Sequence, residues 1–566
     1  MRRQWHLHDI YYFKNYPKKN KMKRLFPLAI ALALVACSNK GESLNEQAAK
    51  EYLNPIRPGY LGANPYWNAY SNKFIFAPAF DFKEVEGAAK YRYTAVQPVQ
   101  DTSGLAERWI VLPPYEGEGQ KWEFTSSTPH EALSEVWNEI TPGWTELRVE
   151  ALDAKGQVLG LAGRRVFLRD FPFEGPYNGP ARDYRDAAIR ALVFVHNLPY
   201  VQHWKDHTTP DMTYPQNAYV CKVVGATVRI ECLLATLKPE LKEEALAIAK
   251  NAAAYLIATG EPETSFCAYF PPTYGLPPSD GYGQPARVQK VHQGKSLLPE
   301  PTVAVNAFLD MYNATGDKSY YNRALKMMEG FRRLQREDGY FPTKFYLATG
   351  ETINPTPAIP NHLFSLIRRF QREYDVHDYD EIMAKGEAFI KDYIATSFDL
   401  TGMFEDSMYD TLEPYSNITN FTAAIYATWL LSHDNPSEED IALARDLVHL
   451  AEDQLVHWDV LKDASGSKPV PTPSTNEQYF YEVPVDDSSA NVAEAYLALY
   501  KVTGDKLAFA KAKALMDEIT LMQNGCNGQI PTTWEYNPSA EHMTKDYWLN
   551  GTWWTCRVLF QMAEYQ

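Results

Sequence analysis

Cysteine is scarce in this chain: there are six in 566 residues, and no two stand in a C-x-x-C pair. That excludes a disulfide-built scaffold and removes the usual spacing of a structural zinc site. Bases are in the minority too, with 55 Lys and Arg against 71 Asp and Glu and a formal net charge of −16. Residues 1–36 hold eight bases and one acid, so residues 37–566 carry −23. A body that acidic argues against a nucleic-acid groove, which needs cations gathered on one face, but it leaves room for a local basic pocket. No apolar run is long enough to span a bilayer. Gly (30) and Pro (38) are too few and too dispersed for a collagenous or mostly disordered chain. What is present, 45% hydrophobic and 22% charged residues, is the make-up of a globular protein with two domains or more.

The positive N-terminus reads as a processing signal. Lys23 and Arg24 precede an apolar run, Leu25 to Ala36, of signal-peptide length. It ends in Leu34-Val35-Ala36-Cys37 and is followed by the polar Ser38-Asn39-Lys40, which resembles the bacterial lipobox. The resemblance implies cleavage before Cys37, lipidation of that residue, and anchoring to the cell envelope through lipid alone, on either face of the outer membrane. Met22 is then the expected start, and residues 1–21 an upstream over-read. Five cysteines remain, Cys221, Cys232, Cys267, Cys526 and Cys556, an odd number that leaves at least one thiol unpaired.

Behind a tether at residues 37–63, residues 64–170 alternate with a period of two, as in Lys121-Trp122-Glu123-Phe124 and Thr145-Glu146-Leu147-Arg148-Val149-Glu150-Ala151. Short alternating strands between turn clusters predict an Ig- or fibronectin-like β-sandwich. Residues 171–182, rich in Pro and Gly, form a linker. From residue 183 to 566 the period becomes 3.6, and helices of two kinds alternate. Nearly apolar ones, expected to be buried, lie near 217–237, 301–314, 360–372, 417–431, 488–502 and 545–564. Amphipathic ones lie near 184–197, 242–258, 320–336, 379–396, 438–458 and 506–522.

An internal repeat supports the alternation. Phe308 to Lys318 (FLDMYNATGDK) corresponds to Tyr496 to Lys506 (YLALYKVTGDK), and each copy runs on through a charged helix to Gln335 or Gln523 and then to a Pro-Thr pair. Phe308 and Tyr496 are therefore expected at equivalent inner positions. Turns from apolar to amphipathic helix are short and the return connections long, so the long loops gather at one rim. This arrangement resembles the (α/α)6 toroid of the six-hairpin glycosidase superfamily over residues 183–566, although no family catalytic motif is matched and the Asp-Ala-Gly-Asp of some cellulase families is absent.

Loops gathered on a rigid scaffold carry function. Here they hold aromatic residues, Trp204, Tyr282, Tyr340, Phe404, Tyr409, Tyr415, Tyr481, Trp534 and Trp548, together with His362, interleaved with acids. Rings stack on sugar C–H faces while carboxylates bond hydroxyls, which suits a poly- or oligosaccharide. Glycoside hydrolysis needs two carboxyl groups across the scissile bond. Glu405 or Asp406 facing Asp486 or Asp487 is the expected pair, with Asp338 and His362 next. Singly, Asp487 or Ser488 also reads as a helix cap and Asp338 as a turn former. A polysaccharide lyase acting on uronates would draw on His203, His207, Arg287, His292, Lys295, Asn361, His362 and Tyr415 instead. A non-catalytic surface glycan-binding lipoprotein is the third reading. No metal or cofactor is expected, and the oligomeric state is left open.

Overall fold

The computed structural model describes residues 42–56, 70–98, 119–275, 291–402, 410–460, 471–479, 481–526, 528–534 and 548–566. Cys37 lies outside them. The stretch read as a tether contains helix α1 (Leu44–Glu51), started by a reciprocal capping box between Ser43 and Glu46.

Strands β1 (Lys73–Phe74), β2 (Lys90–Pro98), β3 (Gly119–Ser126), β4 (Gly143–Leu152) and β5 (Val158–Arg169) form one sheet in the order β1-β5-β4-β2-β3. Pairing is antiparallel except between β1 and β5. The two-residue period sets Tyr91, Tyr93 and Ala95 opposite Ala151, Val149 and Leu147 on one buried face. The expected sandwich is corrected here, because no second sheet covers that face among the described residues. Phe74 of β1 and, from irregular chain, Phe80 meet Phe167 edge-on or tilted, and Trp137, also outside the strands, packs on Phe167 while its indole donates to the Ile75 carbonyl at 2.7 Å. Large aromatic side chains supply the apolar area a second sheet would bring.

Helices α2 (Tyr184–His196), α3 (Gly225–Leu237), α4 (Lys242–Ala258), α5 (Glu300–Thr315), α6 (Lys318–Leu334), α7 (Asn361–Tyr374), α8 (Asp380–Ser397), α9 (Asn420–Leu431), α10 (Glu438–Leu455), α11 (Asp486–Thr503), α12 (Lys506–Gly525) and α13 (Leu549–Met562) make six hairpins. The odd-numbered ones from α3 onward are inner. Each packs on the next, and α13 packs back on α3, so the ring closes; α2 completes it by lying against α13. Phe308 and Tyr496 are buried on α5 and α11, as the repeat predicts.

The repeated Thr-Gly-Asp-Lys makes the short turns. Gly316 (φ 77°) and Gly504 (φ 75°) end α5 and α11 in the left-handed region, where a Cβ is strained. Asp317 and Asp505 then accept the Ser319 and Leu507 amides at 2.9 and 3.0 Å, capping the next helices. One inner helix departs from expectation: α7 is amphipathic, with His362, Ser365, Arg368 and Arg372 on a face turned into the ring.

Sheet and ring are joined by buried polar groups. The Asp453 carboxylate accepts the Ile75 and Phe76 amides at 2.5 and 2.8 Å, and Lys73 reaches the Val456 carbonyl at 2.6 Å. Lys511, wholly buried, lies 2.6 Å from Glu51 and 2.8 Å from Glu452, and Glu452 also accepts the Tyr52 hydroxyl at 2.6 Å and that of Tyr496. The five described cysteines are all unpaired. No described helix is long and apolar enough to cross a membrane.

Candidate active site

Connections 197–224, 259–299, 335–360, 398–419, 456–485 and 526–548 all lead into the N-termini of inner helices, whereas the turns at 316–317 and 504–505 lie at the other end. The rim of long loops therefore carries the inner helices' N-terminal turns. Short strands tie the loops together: β6 (Lys295–Leu297) pairs with β7 (Lys344–Tyr346), and β8 (Val456–His457), β9 (Ser474–Gln478) and β10 (Tyr481–Pro484) form a three-stranded sheet.

Asp486 and Asp487 open α11 and are buried. Neither caps the helix, since the cap is Val485, without a side-chain bond. Asp486 accepts the Thr555 hydroxyl at 2.8 Å through one oxygen, and the other oxygen has no hydrogen-bond partner; nor does one oxygen of Asp487. Both carboxyls lean over Gly551 of α13: a Cβ there would sit 3.1 Å from Asp486 and 3.6 Å from Asp487. Burial, and then the neighbouring Asp487 charge, push the Asp486 carboxyl well above its ordinary range. Burial raises Asp487 to about 6, against the pull of the Lys222 ammonium. The result is a carboxylic acid beside a group that ionises near neutrality, the asymmetry acid–base catalysis uses.

Unsatisfied polar groups surround the pair. Asn491 donates to Asn420 at 3.0 Å, and Asn420 donates to Ser488 at 2.9 Å and to the Glu477 carbonyl at 2.8 Å. Asn417 donates to Gln478 at 2.8 Å. Yet Asn476 Oδ1, Gln478 Nε2, Ser489 Oγ, Asn491 Oδ1 and Thr533 Oγ1 are buried without partners. Buried polar atoms are almost always paired, so these five offer donors and acceptors to whatever polar groups, water included, come to lie beside them.

A cationic side begins beside the pair, at Lys222. Lys222 sits 4.6 Å over the Tyr219 ring, Tyr219 packs on Tyr274, and Tyr274 stacks on His292. Lys344 lies 3.0 Å from His292 and 2.9 Å from Asp410, which Lys295 also contacts at 2.8 Å. Burial lowers the Lys344 ammonium, with Asp410 opposing. The sequence points to His292 and Lys295 but not to Lys222 or Lys344. Lys222 had one overlooked signal, a single cation in the apolar stretch Tyr219 to Val224, and Lys344 had none.

Several expected contacts are corrected. Trp204 and Trp534 are fully buried packing residues, one beside Tyr255 and the other donating to the Pro531 carbonyl at 3.0 Å. Tyr340 is buried, with its hydroxyl 3.3 Å from the Asn354 carbonyl. Tyr415, in the left-handed region (φ 66°), donates to the Ser397 carbonyl at 3.2 Å. Asp338 is exposed and forms a turn by accepting the Tyr340 amide at 3.0 Å. His362 faces the ring interior beside Trp554, and burial pushes its imidazole down to about 4. Tyr481 stacks on Trp548 at 6.4 Å, next to the acid pair's helix. Glu405, Asp406, Phe404, Tyr409, Tyr282 and Arg287 lie outside the described residues. No described group of His, Cys, Asp or Glu could hold a metal ion.

Gly551→Ala is expected to stay within about 1 kcal/mol of the parent in stability, because the gain in helix propensity is offset by the methyl crowding the buried Asp486 carboxyl. It should cost more than about tenfold in turnover, because the methyl presses on the Asp486 carboxyl. Thermal unfolding and initial rates measured together check both halves.

No family model matches the chain, and no curated protein matches it. Solved structures do. A cellobiose 2-epimerase from Spirochaeta thermophila is similar at 16% identity and TM-score 0.46, over 67% of this chain and 96% of that one. A family 76 glycoside hydrolase from Bacteroides thetaiotaomicron is similar at 8% identity and TM-score 0.41, over 87% of this chain and 100% of that one. An unsaturated glucuronyl hydrolase from Streptococcus agalactiae is similar at 12% identity and TM-score 0.31, over 69% and 84%. By its own geometry, six helical hairpins closed into a ring by α2 on α13, the chain is an (α/α)6 toroid of the six-hairpin type.

Proposed function

We propose that the protein is a carbohydrate-active enzyme, a glycoside hydrolase working on a poly- or oligosaccharide at the long-loop rim. The observation that carries the reading is the Asp486–Asp487 pair, two buried carboxyls with open oxygens at the mouth of α11. Asp486, held protonated, donates to the glycosidic oxygen as the bond breaks. Asp487, ionised above about 6 beside Lys222, attacks the anomeric carbon or activates a water. Glu405 and Asp406 belong in the same substitution panel as the partner acids expected from the sequence.

A lyase reading draws support from the Lys344–His292–Tyr274 cluster, a lowered amine beside an imidazole and a phenol that could take a proton next to a uronate carboxylate. A polysaccharide-digestion screen separates the readings. A hydrolase releases saturated sugars, a lyase products with the ultraviolet absorbance of an unsaturated uronate, and a glycan-binding protein releases nothing.

The lipobox-like segment supports a lipid-anchored envelope protein. Cys37→Ala is expected to move the protein from the membrane fraction to the soluble one. Equal incorporation of labelled palmitate with and without Cys37 would sink the idea.

A further inference from the structure

The ring encloses a cavity of about 1460 Å³ whose lining runs from Thr302 and His362, in the first turns of α5 and α7, to Asp434 and Gly504 at the short-turn end, and does not include Asp486 or Asp487. Several inner helices make its wall polar: Arg368 and Arg372 of the amphipathic α7 share it with Arg229 of α3, Glu494 and Lys501 of α11 and Arg557 of α13.

Its charge runs against that of the molecule. Arg229, Arg368, Arg372, Arg557, Lys501 and Lys506 line it. Only three carboxylates, Asp434, Glu494 and Glu564, accompany them, an excess of three positive charges in a body of −23. A cleft of one sign with low-dielectric walls concentrates counter-ions. Some of these cations are committed elsewhere: Arg557 is forked onto Glu494, and Arg229 lies 2.8 Å from Asp310. Arg368 has no close carboxylate in this way: its guanidinium donates to the neutral Ser432 hydroxyl at 2.6 Å and sits over Trp429, 3.8 Å from the ring centre, with Glu387 and Asp434 acting on it from farther off. A planar guanidinium with donors to spare in a cavity wall is the side chain that recognises carboxylate or phosphate.

We propose that this cavity is a second ligand site, separate from the acid pair, for an oxyanion-bearing small molecule of sugar size contacted by Arg368, with Lys506 at its mouth. A uronic acid and a sugar phosphate share that chemistry.

Titration calorimetry on the full chain with glucuronate, glucose 6-phosphate and glucose tests it. At least one anion should bind saturably, glucose should not, and the tighter anion identifies the carboxylate or the phosphate as the source. Arg368→Gln should weaken binding about tenfold or more. Lys506→Gln, at the exposed mouth, should weaken it about two- to threefold and guards against a misfolded Arg368 variant. The Asp486→Asn, Asp487→Asn double variant should bind as the parent does. The proposal is overturned if neither anion binds, if glucose binds equally, or if both cavity variants keep parental affinity. Loss of binding in the acid-pair variant alone would place the anion at the rim and overturn it as well.

Discussion

Asp486→Asn and Asp487→Asn are each expected to lower turnover on a cleaved glycan by about a thousandfold or more, while the protein becomes more stable at neutral pH. The two effects share a cause. Burial disfavours both charged carboxyls, so the folded state holds their protons more tightly than the unfolded chain does. For Asp487, raised from 3.8 to about 6, the linkage has a definite sign. The stability from the bound proton is fully present below about 4 and is lost as pH rises through about 6. Above that the ionised group costs the fold on the order of 3 kcal/mol, an upper figure that asparagine removes. Unfolding midpoints of parent and Asp487→Asn should therefore diverge between pH 4 and 7, the variant being the more stable at 7. Activity in the parent should rise through about pH 6 as Asp487 ionises. A variant that keeps near-parental turnover would move the chemistry elsewhere on the rim, with Glu405 and Asp406 next to be tested.

Lys511→Met should be among the most damaging single changes outside the site. The ammonium is fully buried between Glu51 and Glu452, and Glu452 is itself wholly enclosed. Removing it leaves a buried negative charge uncompensated, at a cost of about 3–5 kcal/mol, read as a lower urea midpoint. Burial opposes the charge on Glu51, but Lys511 and His449 outweigh it and hold that carboxyl well below the ordinary range. The stabilisation from Glu51 is thus present above the ordinary carboxyl range and is lost as pH falls. The Met variant should lose most of that acid sensitivity. An unchanged midpoint would mean that the N-terminal helix is not held to the ring by this network.

The ring was legible because two local signals agree, the 3.6 period and the repeated Thr-Gly-Asp-Lys, whose Gly316 and Gly504 do what that tetrapeptide suggests. The sandwich was not, because alternation in β2 and β4 specifies one buried face and says nothing of what buries it. Trp137 and Phe80 do so from irregular chain, together with Phe74 of β1. In the site, Asp486 and Asp487 stood out as paired acids ahead of an apolar helix. Gly551, Thr555, Lys222 and Lys344 did not, since they reach the rim from helices and strands far apart in sequence. Ring counts also overstated the sugar platform: composition cannot tell Trp534, whose indole is consumed by a backbone carbonyl, from Trp548, which stacks near the acids.

That α2 lies against α13 also bears on how the chain matures. The helix that shuts the circle follows every other ring helix in order of synthesis, and it brings Gly551 and Thr555, the surface over which the two acids are held. Until it docks, α2 and α3 wait with their partner face open across more than three hundred intervening residues, a long-range contact of the kind that folds slowly. An unfinished copy therefore lacks both a closed core and the helix over which Asp486 and Asp487 are held, so the proposed site is assembled in the same step as ring closure.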